Sequence, residues 1–276
     1  FKYPTAGEAN SIVTVSVYNV GNGQTVKMDT GNETDIYIPR IKWTNDSNLL
    51  SIQKMNRLQN TLEILHANAT TGKANVVLKE TDKAYIDITD DLTYLKDGKH
   101  FIHSSEKDGF NHLYLHNMNG KLVRQITNGN WEMSSYIGYD EKNDRLYYMS
   151  TEVSPLERHL YSINSKGKKK TRLTEKSGTH RVNMSNDFKY FLDYQSAANE
   201  VPTVALHTAN NGKLIKVLED NQALRTRLGE YNIAKQEFFT MKTSDGTQLN
   251  GWMIKPTNFD PNKKYPVIEY VYPGPQ

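Results

Sequence analysis

The sequence contains no cysteine. That removes disulfides, thiol nucleophiles and cysteine-ligated metal from consideration. No apolar run approaches the length of a bilayer-crossing helix. Charge of one sign is also missing: 34 Lys and Arg face 31 Asp and Glu, a net of +3 with both signs interspersed, so no polyanionic partner is implied. The densest basic run, Lys166-Gly-Lys-Lys-Lys170, falls on a hairpin turn and has no interleaved aromatics, which reads as a solvated loop rather than a nucleic-acid site. There is no start Met and no signal peptide, and Phe1 leads directly into Tyr3-Pro4, which reads as a piece of something longer.

What the chain does hold is tyrosine, seventeen of them with eight phenylalanines, a composition that favours strands. The clearest stretch is Ser105–Gly120, followed by Lys121–Thr127. Asp108-Gly109 and Asn119-Gly120 are tight turns, with strands expected from Phe110 to His116 and onward through Thr127. Asn-Gly and Asp-Gly between alternating apolar runs signal hairpins, because both central positions of a type I′ turn need positive φ. The same pattern recurs along the chain. The alternating run Ser11–Tyr18 precedes Asn22-Gly23, and strands are expected over Leu49–Met55 and Thr61–His66 before Thr71-Gly72. Further ones are expected over Lys99–Ser104, Arg145–Ser150, Leu160–Asn164, Tyr190–Tyr194 and Val204–His207.

The hairpin glycines are Gly23, Gly72, Gly120, Gly167 and Gly212, spaced 49, 48, 47 and 45 residues apart. A repeat of roughly 40–50 residues with four strands is the mark of a β-propeller blade. The fold expected is therefore all-β, about four and a half blades of four antiparallel strands. A β-sandwich is the alternative, since its strands need not repeat in register. Past Leu218 the pattern changes: a short helix over Ala223–Leu228, a hairpin around Ser244-Asp245-Gly246, and the apolar run Val267–Tyr272 stopped by Pro273. Such a run suits a strand buried on both faces, as in α/β enzymes. The expected division is a partial propeller over 1–234 and the start of a second domain over 235–276.

Four segments carry a resemblance to a known family: Ser105-Glu-x-Asp-Gly-Phe-x-His-Leu-Tyr114, Gly129-Asn-Trp-Glu132, Ser154-Pro-Leu-Glu-Arg-His-Leu-Tyr161 and Lys264–Pro275. With these the chain resembles the dipeptidyl peptidase IV family of serine peptidases, including the prolyl tripeptidyl peptidases, and especially its Bacteroides-type bacterial members. The resemblance implies an eight-bladed propeller capping an α/β-hydrolase domain, with 235–276 as the first strands of that hydrolase. It implies peptide substrates with penultimate Pro or Ala, no cofactor, no metal and no membrane span. It also implies a periplasmic or exported bacterial enzyme, and leaves a homodimeric parent open.

An α/β-hydrolase carries its nucleophile in Gly-x-Ser-x-Gly, and these 276 residues contain none. There is no Glu-Glu pair of the kind that holds the substrate amine in the family. One catalytic residue carries over by resemblance: Tyr272, in Val271-Tyr-Pro-Gly-Pro275, as an oxyanion-hole donor. The other reading of Tyr272 is a packing tyrosine at a strand end. His112 and His116 are expected on one strand face, His100 and His103 on opposite faces. Asp87, Asp90 and Asp91 could hold a cation or form a solvated turn. Ile86-Asp87-Ile88 stands where some relatives place an aromatic–arginine pair against substrate. Arg57, Glu157, Arg158, His180 and Arg181 are expected to make inter-blade salt bridges and hydrogen bonds. Two rival functions remain: a non-catalytic propeller scaffold, and an oligopeptidase or acylaminoacyl peptidase branch of the same superfamily.

Overall fold

The computed structural model describes residue 5 and residues 7–271. A two-stranded antiparallel ribbon, β1 (Ser16–Tyr18) and β2 (Thr25–Lys27), comes first. Four four-stranded antiparallel meanders follow. The first holds β3 (Ile36–Trp43), β4 (Leu49–Asn56), β5 (Thr61–Asn68) and β6 (Ala74–Thr81). The second holds β7 (Thr93–Tyr94), β8 (His100–Ser105), β9 (His112–Asn117) and β10 (Leu122–Gln125). In the third are β11 (Met133–Asp140), β12 (Arg145–Ser150), β13 (His159–Ile163) and β14 (Thr171–Arg172). The fourth has β15 (Thr179–Met184), β16 (Tyr190–Ser196), β17 (Thr203–Thr208) and β18 (Leu214–Glu219). A helix, α1 (Gln222–Gly229), and a hairpin, β19 (Gln236–Lys242) with β20 (Gln248–Ile254), complete the order. Each meander matches a propeller blade, so the expected four and a half units are present.

The glycine repeat has a physical cause beyond turn conformation. Gly72, Gly120, Gly167 and Gly212 each join the third and fourth strands of their sheet, with φ between 69° and 82°. A Cβ on Gly72 would lie 2.2 Å from the Lys27 carbonyl oxygen, on Gly120 1.5 Å from that of Val77, on Gly167 2.9 Å from Ile126, and on Gly212 2.3 Å from Leu173. Each of those carbonyls belongs to the outermost strand of the preceding sheet or the residue just after it. The repeat therefore marks where one blade's backbone presses on the last. No other residue type allows both the positive φ and the approach.

The core lies between neighbouring sheets. One cluster joins Ile102, Leu113 and Leu115 of the second meander to Met133, Leu146, Tyr148 and Tyr161 of the third. Another joins Tyr147, Met149 and Leu160 to Val182 and Phe191 of the fourth. Two more bind the first meander to its flanking sheets, through Val15 and Met28 on one side and Leu92, Tyr94 and Phe101 on the other. Large aromatics fill the seams because a wedge-shaped sheet stack leaves space that small side chains cannot close.

Several expected boundaries shift. Phe110 is exposed and precedes β9 rather than opening it. Of the alternating run Ser11–Tyr18, only the last three residues form β1, because β2 offers just three partners; Val15 still accepts the Met28 amide. Ile36–Arg40 belongs to β3 despite Pro39, which sits at a register shift on the sheet's edge strand where no ladder bond is lost. The run 267–271 forms no strand among the described residues and is exposed, Ile268 by 96%. A strand buried on both faces needs neighbours on both sides, and β19 and β20 pair only with each other.

Candidate functional site: an acidic cleft on the motif-bearing rim

In a meander, strand direction alternates. The turn between the second and third strands therefore emerges at the same rim as the connection from the fourth strand to the next sheet. The motif segments collect there: 105–112 is the second-to-third turn of the second meander, 126–132 its exit, and 151–158 the equivalent turn of the third. The chain reaches β19 from the same rim, where Gln236 exchanges two hydrogen bonds with Asn199 of the β16–β17 turn (2.9 and 2.8 Å).

The motif histidines are structural. His112 is fully buried; its Nε2 donates to the Gly129 carbonyl at 3.0 Å, its Nδ1 lies 3.2 Å from the Thr127 hydroxyl, and its ring meets Trp131 edge-on. The Thr127 hydroxyl also accepts the Leu113 amide at 2.9 Å. Ser105–Tyr114 and Gly129–Glu132 are thus one packed unit. The next sheet repeats it: the Thr174 hydroxyl accepts the Leu160 amide and lies 3.1 Å from His159 Nδ1, while His159 Nε2 donates to Glu157 at 2.8 Å. His116 does share a face with His112 but turns to the Gly120 carbonyl and stacks on Phe101. Among the described residues no group of three or more His, Asp or Glu is arranged to hold a metal.

The other candidates resolve one by one. Asp90 pairs with Arg40 at 2.5 Å on the surface. Burial raises the Asp91 carboxyl, against the pull of Ser104 and His103 and with a further push from Asp90. His100 bonds Asp97 beside the turn at Gly98, whereas His103, three residues on, is buried. The expectation of inter-blade salt bridges and hydrogen bonds is borne out for hydrogen bonds, at Arg158 and His180, and corrected for salt bridges. Arg57 pairs with Asp35 at the entry to β3, Arg158 donates to the carbonyls of Pro155 and Glu157, and Arg181 lies over Tyr194 of the neighbouring strand. His180 bonds Asp193 within its own sheet (2.8 Å). What crosses the third seam is backbone, from the Arg158 amide to the Gly178 carbonyl and from the His180 amide to that of Arg158, plus the His159–His180 ring contact at 4.9 Å. Arg57 also donates to the Glu8 carbonyl ahead of the first ribbon (3.0 Å), and among the described residues no salt bridge of these side chains spans a seam. Tyr272 lies outside the described residues.

A concavity rich in titratable groups lies on this rim between the first and second meanders. It is a cleft of about 210 Å³ whose wall includes Glu80, Asp82, Asp87, Glu106 and Glu132, with Lys107 as the only Lys or Arg. Burial pulls the Glu80 carboxyl upward, but His103, Ser105 and Lys107 more than offset it and leave it below the usual carboxylate range. Glu106 goes the other way, raised by burial and by the negative charges of Asp87, Glu132 and Asp82. Lys107 is folded over the Tyr114 ring, 3.7 Å from its centroid, and burial lowers its pKa. Sequence reasoning noticed Asp87 alone. Glu80, Glu106 and Glu132 come from three different segments, and only the stacking of sheets brings them together.

Residues 1–202 match the family model described as Dipeptidyl peptidase IV (DPP IV) N-terminal region. The chain is 27% identical to a probable dipeptidyl peptidase 4 of Aspergillus flavus, over 99% of this chain and 37% of that protein. It is 29% identical to dipeptidyl peptidase 4 of Trichophyton rubrum, over 99% and 36%. It superposes on the crystal structure of Porphyromonas gingivalis dipeptidyl peptidase 4 with TM-score 0.90 and 36% identity, covering 96% of this chain and 38% of that one. A putative dipeptidyl aminopeptidase IV from Bacteroides ovatus gives 0.83 and 28%, covering 96% and 40%. The chain spans about 37% of the length of the curated relatives it matches. Blades, motif rim and relatives agree: the chain belongs to the dipeptidyl peptidase IV family, of Bacteroides type, and its blades are part of that family's N-terminal propeller region.

Proposed function

We propose that this chain is the propeller portion of a post-proline serine exopeptidase that releases N-terminal Xaa-Pro dipeptides, or tripeptides, from peptides in the periplasm or outside a bacterial cell. The observation that carries this reading is the end-to-end likeness to the Porphyromonas gingivalis enzyme, 96% of the chain at TM-score 0.90. On this reading the propeller walls off a reaction chamber and admits short or unfolded peptides. Residues 235–276 begin the α/β-hydrolase domain, and the exposed run 267–271 becomes a central strand once paired.

The chemistry would be acyl transfer: a serine hydroxyl, activated by a histidine, attacks the carbonyl after proline, and the resulting oxyanion needs a fixed donor. Tyr272 is proposed as that donor, its phenol O–H directed at the developing charge; one such donor is worth roughly 10²–10³ in rate. No Gly-x-Ser-x-Gly occurs in these 276 residues, so this chain by itself is expected to be inactive. The test is hydrolysis of Gly-Pro-p-nitroanilide. A polypeptide continuing through the nucleophile should turn it over, and Tyr272→Phe should reduce kcat by about 10²-fold or more with little change in KM. Turnover by the 276-residue chain itself would contradict the reading.

A further inference from the structure

The cleft between the first and second meanders holds more negative charge than its own residues neutralise. Asp82, Asp87, Glu106 and Glu132 are all exposed at its mouth, and none of the four is paired by a Lys or Arg among the ion pairs of the described residues. Lys107, the single cation in the wall, is occupied with the Tyr114 ring. Repulsion among the carboxylates contributes to the raised position of Glu106, the behaviour of a site that lacks its counter-charge.

A second observation is independent of the charge count. His103 lines the same cleft and is 5% exposed, yet neither ring nitrogen makes a hydrogen bond. Its Nε2 stands 3.6 Å from Glu80, close enough for attraction and too far for a bond, and its Nδ1 has no partner at all. Buried polar atoms are almost always paired, and an unpaired one is costly. Nε2 is the nitrogen turned towards Glu80, and Nδ1 is left with no partner. A donor-rich cation arriving in the cleft would meet carboxylates at the mouth and an unpartnered imidazole in the wall.

We propose that this cleft is a subsite for a cationic side chain of the peptide, a guanidinium or an ammonium group, held by Asp87, Glu106 and Glu132 with His103 behind them. The assignment rests on the reading that this rim receives peptides, and it adds a preference for basic residues. A metal ion is the poorer occupant: no metal-binding cluster is formed among the described residues. A guanidinium offers five N–H donors in a fixed fork and suits several carboxylates at once.

The test reads binding without turnover, so it stands or falls separately from the peptidase assignment. Isothermal titration of the 276-residue chain would compare N-acetyl-Ala-Arg-Ala-amide with its citrulline counterpart, which keeps the shape and loses the charge. The blocked terminus removes any contribution from an amine anchor. The arginine peptide should bind at least about tenfold tighter. That preference should shrink to about twofold or less in Asp87→Asn/Glu106→Gln/Glu132→Gln, three exposed positions whose amides keep the shape. It should also collapse in the unaltered chain between about 10 mM and about 1 M salt, as the screening length falls from about 30 to about 3 Å, a readout that needs no variant. Equal affinity for the two peptides, or a preference insensitive to salt or to the three substitutions, would overturn the subsite.

Discussion

The second and third meanders and the hairpin β19–β20 are built from similar strands and end in opposite states. In β8, β9, β12 and β13 nearly every residue is buried, and Phe101, Leu113, Tyr148 and Leu160 are at 1% exposure or less. In β19 and β20 nearly every residue is exposed, although the sequence offers Phe238, Phe239, Met241, Trp252 and Met253. Across the edge they share, β19 and β20 match seven partners, more than β8 with β9 or β12 with β13, although the inner strands of the meanders are paired on both edges and the hairpin strands on one. A fully matched shared edge therefore does not confer burial; the buried clusters lie where one sheet meets the next. The fourth meander sits between these extremes: β16 is half-buried against the third meander, while all of β18 is exposed. Stability in such an array is close to a sum of sheet and nearest-neighbour terms.

Removing a seam aromatic should have the largest effect. Phe101→Ala, which empties a site stacked on His116 and tilted against Tyr94, should cost about 3–5 kcal/mol. Phe238→Ala in the hairpin should cost about 0.5 kcal/mol or less. Urea midpoints of the two variants check both values, and equal losses would break the comparison. Close behind comes backbone contact between sheets. Gly120→Ala drives a methyl into the Val77 carbonyl and should cost at least about 3 kcal/mol. Gly246→Ala has the same handedness, φ +87°, and open space around it, so only the conformational penalty of about 1–2 kcal/mol remains. The difference between those two isolates the close approach from the turn.

A smaller loss is expected from Thr127→Val, which leaves the buried Leu113 amide without its acceptor and should cost about 1–3 kcal/mol. Thr243→Val, at an exposed hydroxyl bonded to Asp245 and Thr247, should be close to neutral. The smallest effects concern charge and pH, and there the two regions should differ in sign. Asp91 is a carboxyl raised by burial, so the folded chain holds its proton more tightly than the unfolded chain. Its ionised form then costs stability at neutral pH, a cost that fades as pH falls through its raised pKa, above the ordinary 3.8. Asp91→Asn should therefore match or exceed the parent at pH 7, with the advantage gone by about pH 3.5. Asp245 is lowered by hydrogen bonds from Thr243 and Thr247, so Asp245→Asn should weaken the chain at pH 7 and become neutral as pH falls below the ordinary carboxylate range. Urea midpoints across that pH range measure both.

The array was legible in the sequence because its constraint is periodic. Gly72, Gly120, Gly167 and Gly212 fall in the third-to-fourth turn of successive sheets and Gly23 in the turn of the ribbon before them, and that period alone gives the count of four and a half. Fourth strands such as β6, β14 and β18 were harder to read, since outer strands exposed along most of their length show little alternation. Pro39 hid the first half of β3, and the run from Ser11 alternated well but lacked partners. His112 could be placed on a strand face but not given a partner, which the Thr127 hydroxyl and the Gly129 carbonyl supply in the fold. Of the cleft, only the Ile86–Ile88 stretch with Asp87 stood out in the sequence. The cleft's carboxylates lie on β6, on the connection after it, on the β8–β9 turn and on the entry to β11, and nothing local in sequence joins them.

Hydrogen–deuterium exchange on the 276-residue chain tests directly whether neighbouring sheets, rather than strand pairing, hold the structure. Amides of β8, β9, β12 and β13 should exchange last and together, β18 earlier, and the amides that bond across the β19–β20 edge first. Protection in the hairpin equal to that in the middle sheets would contradict it.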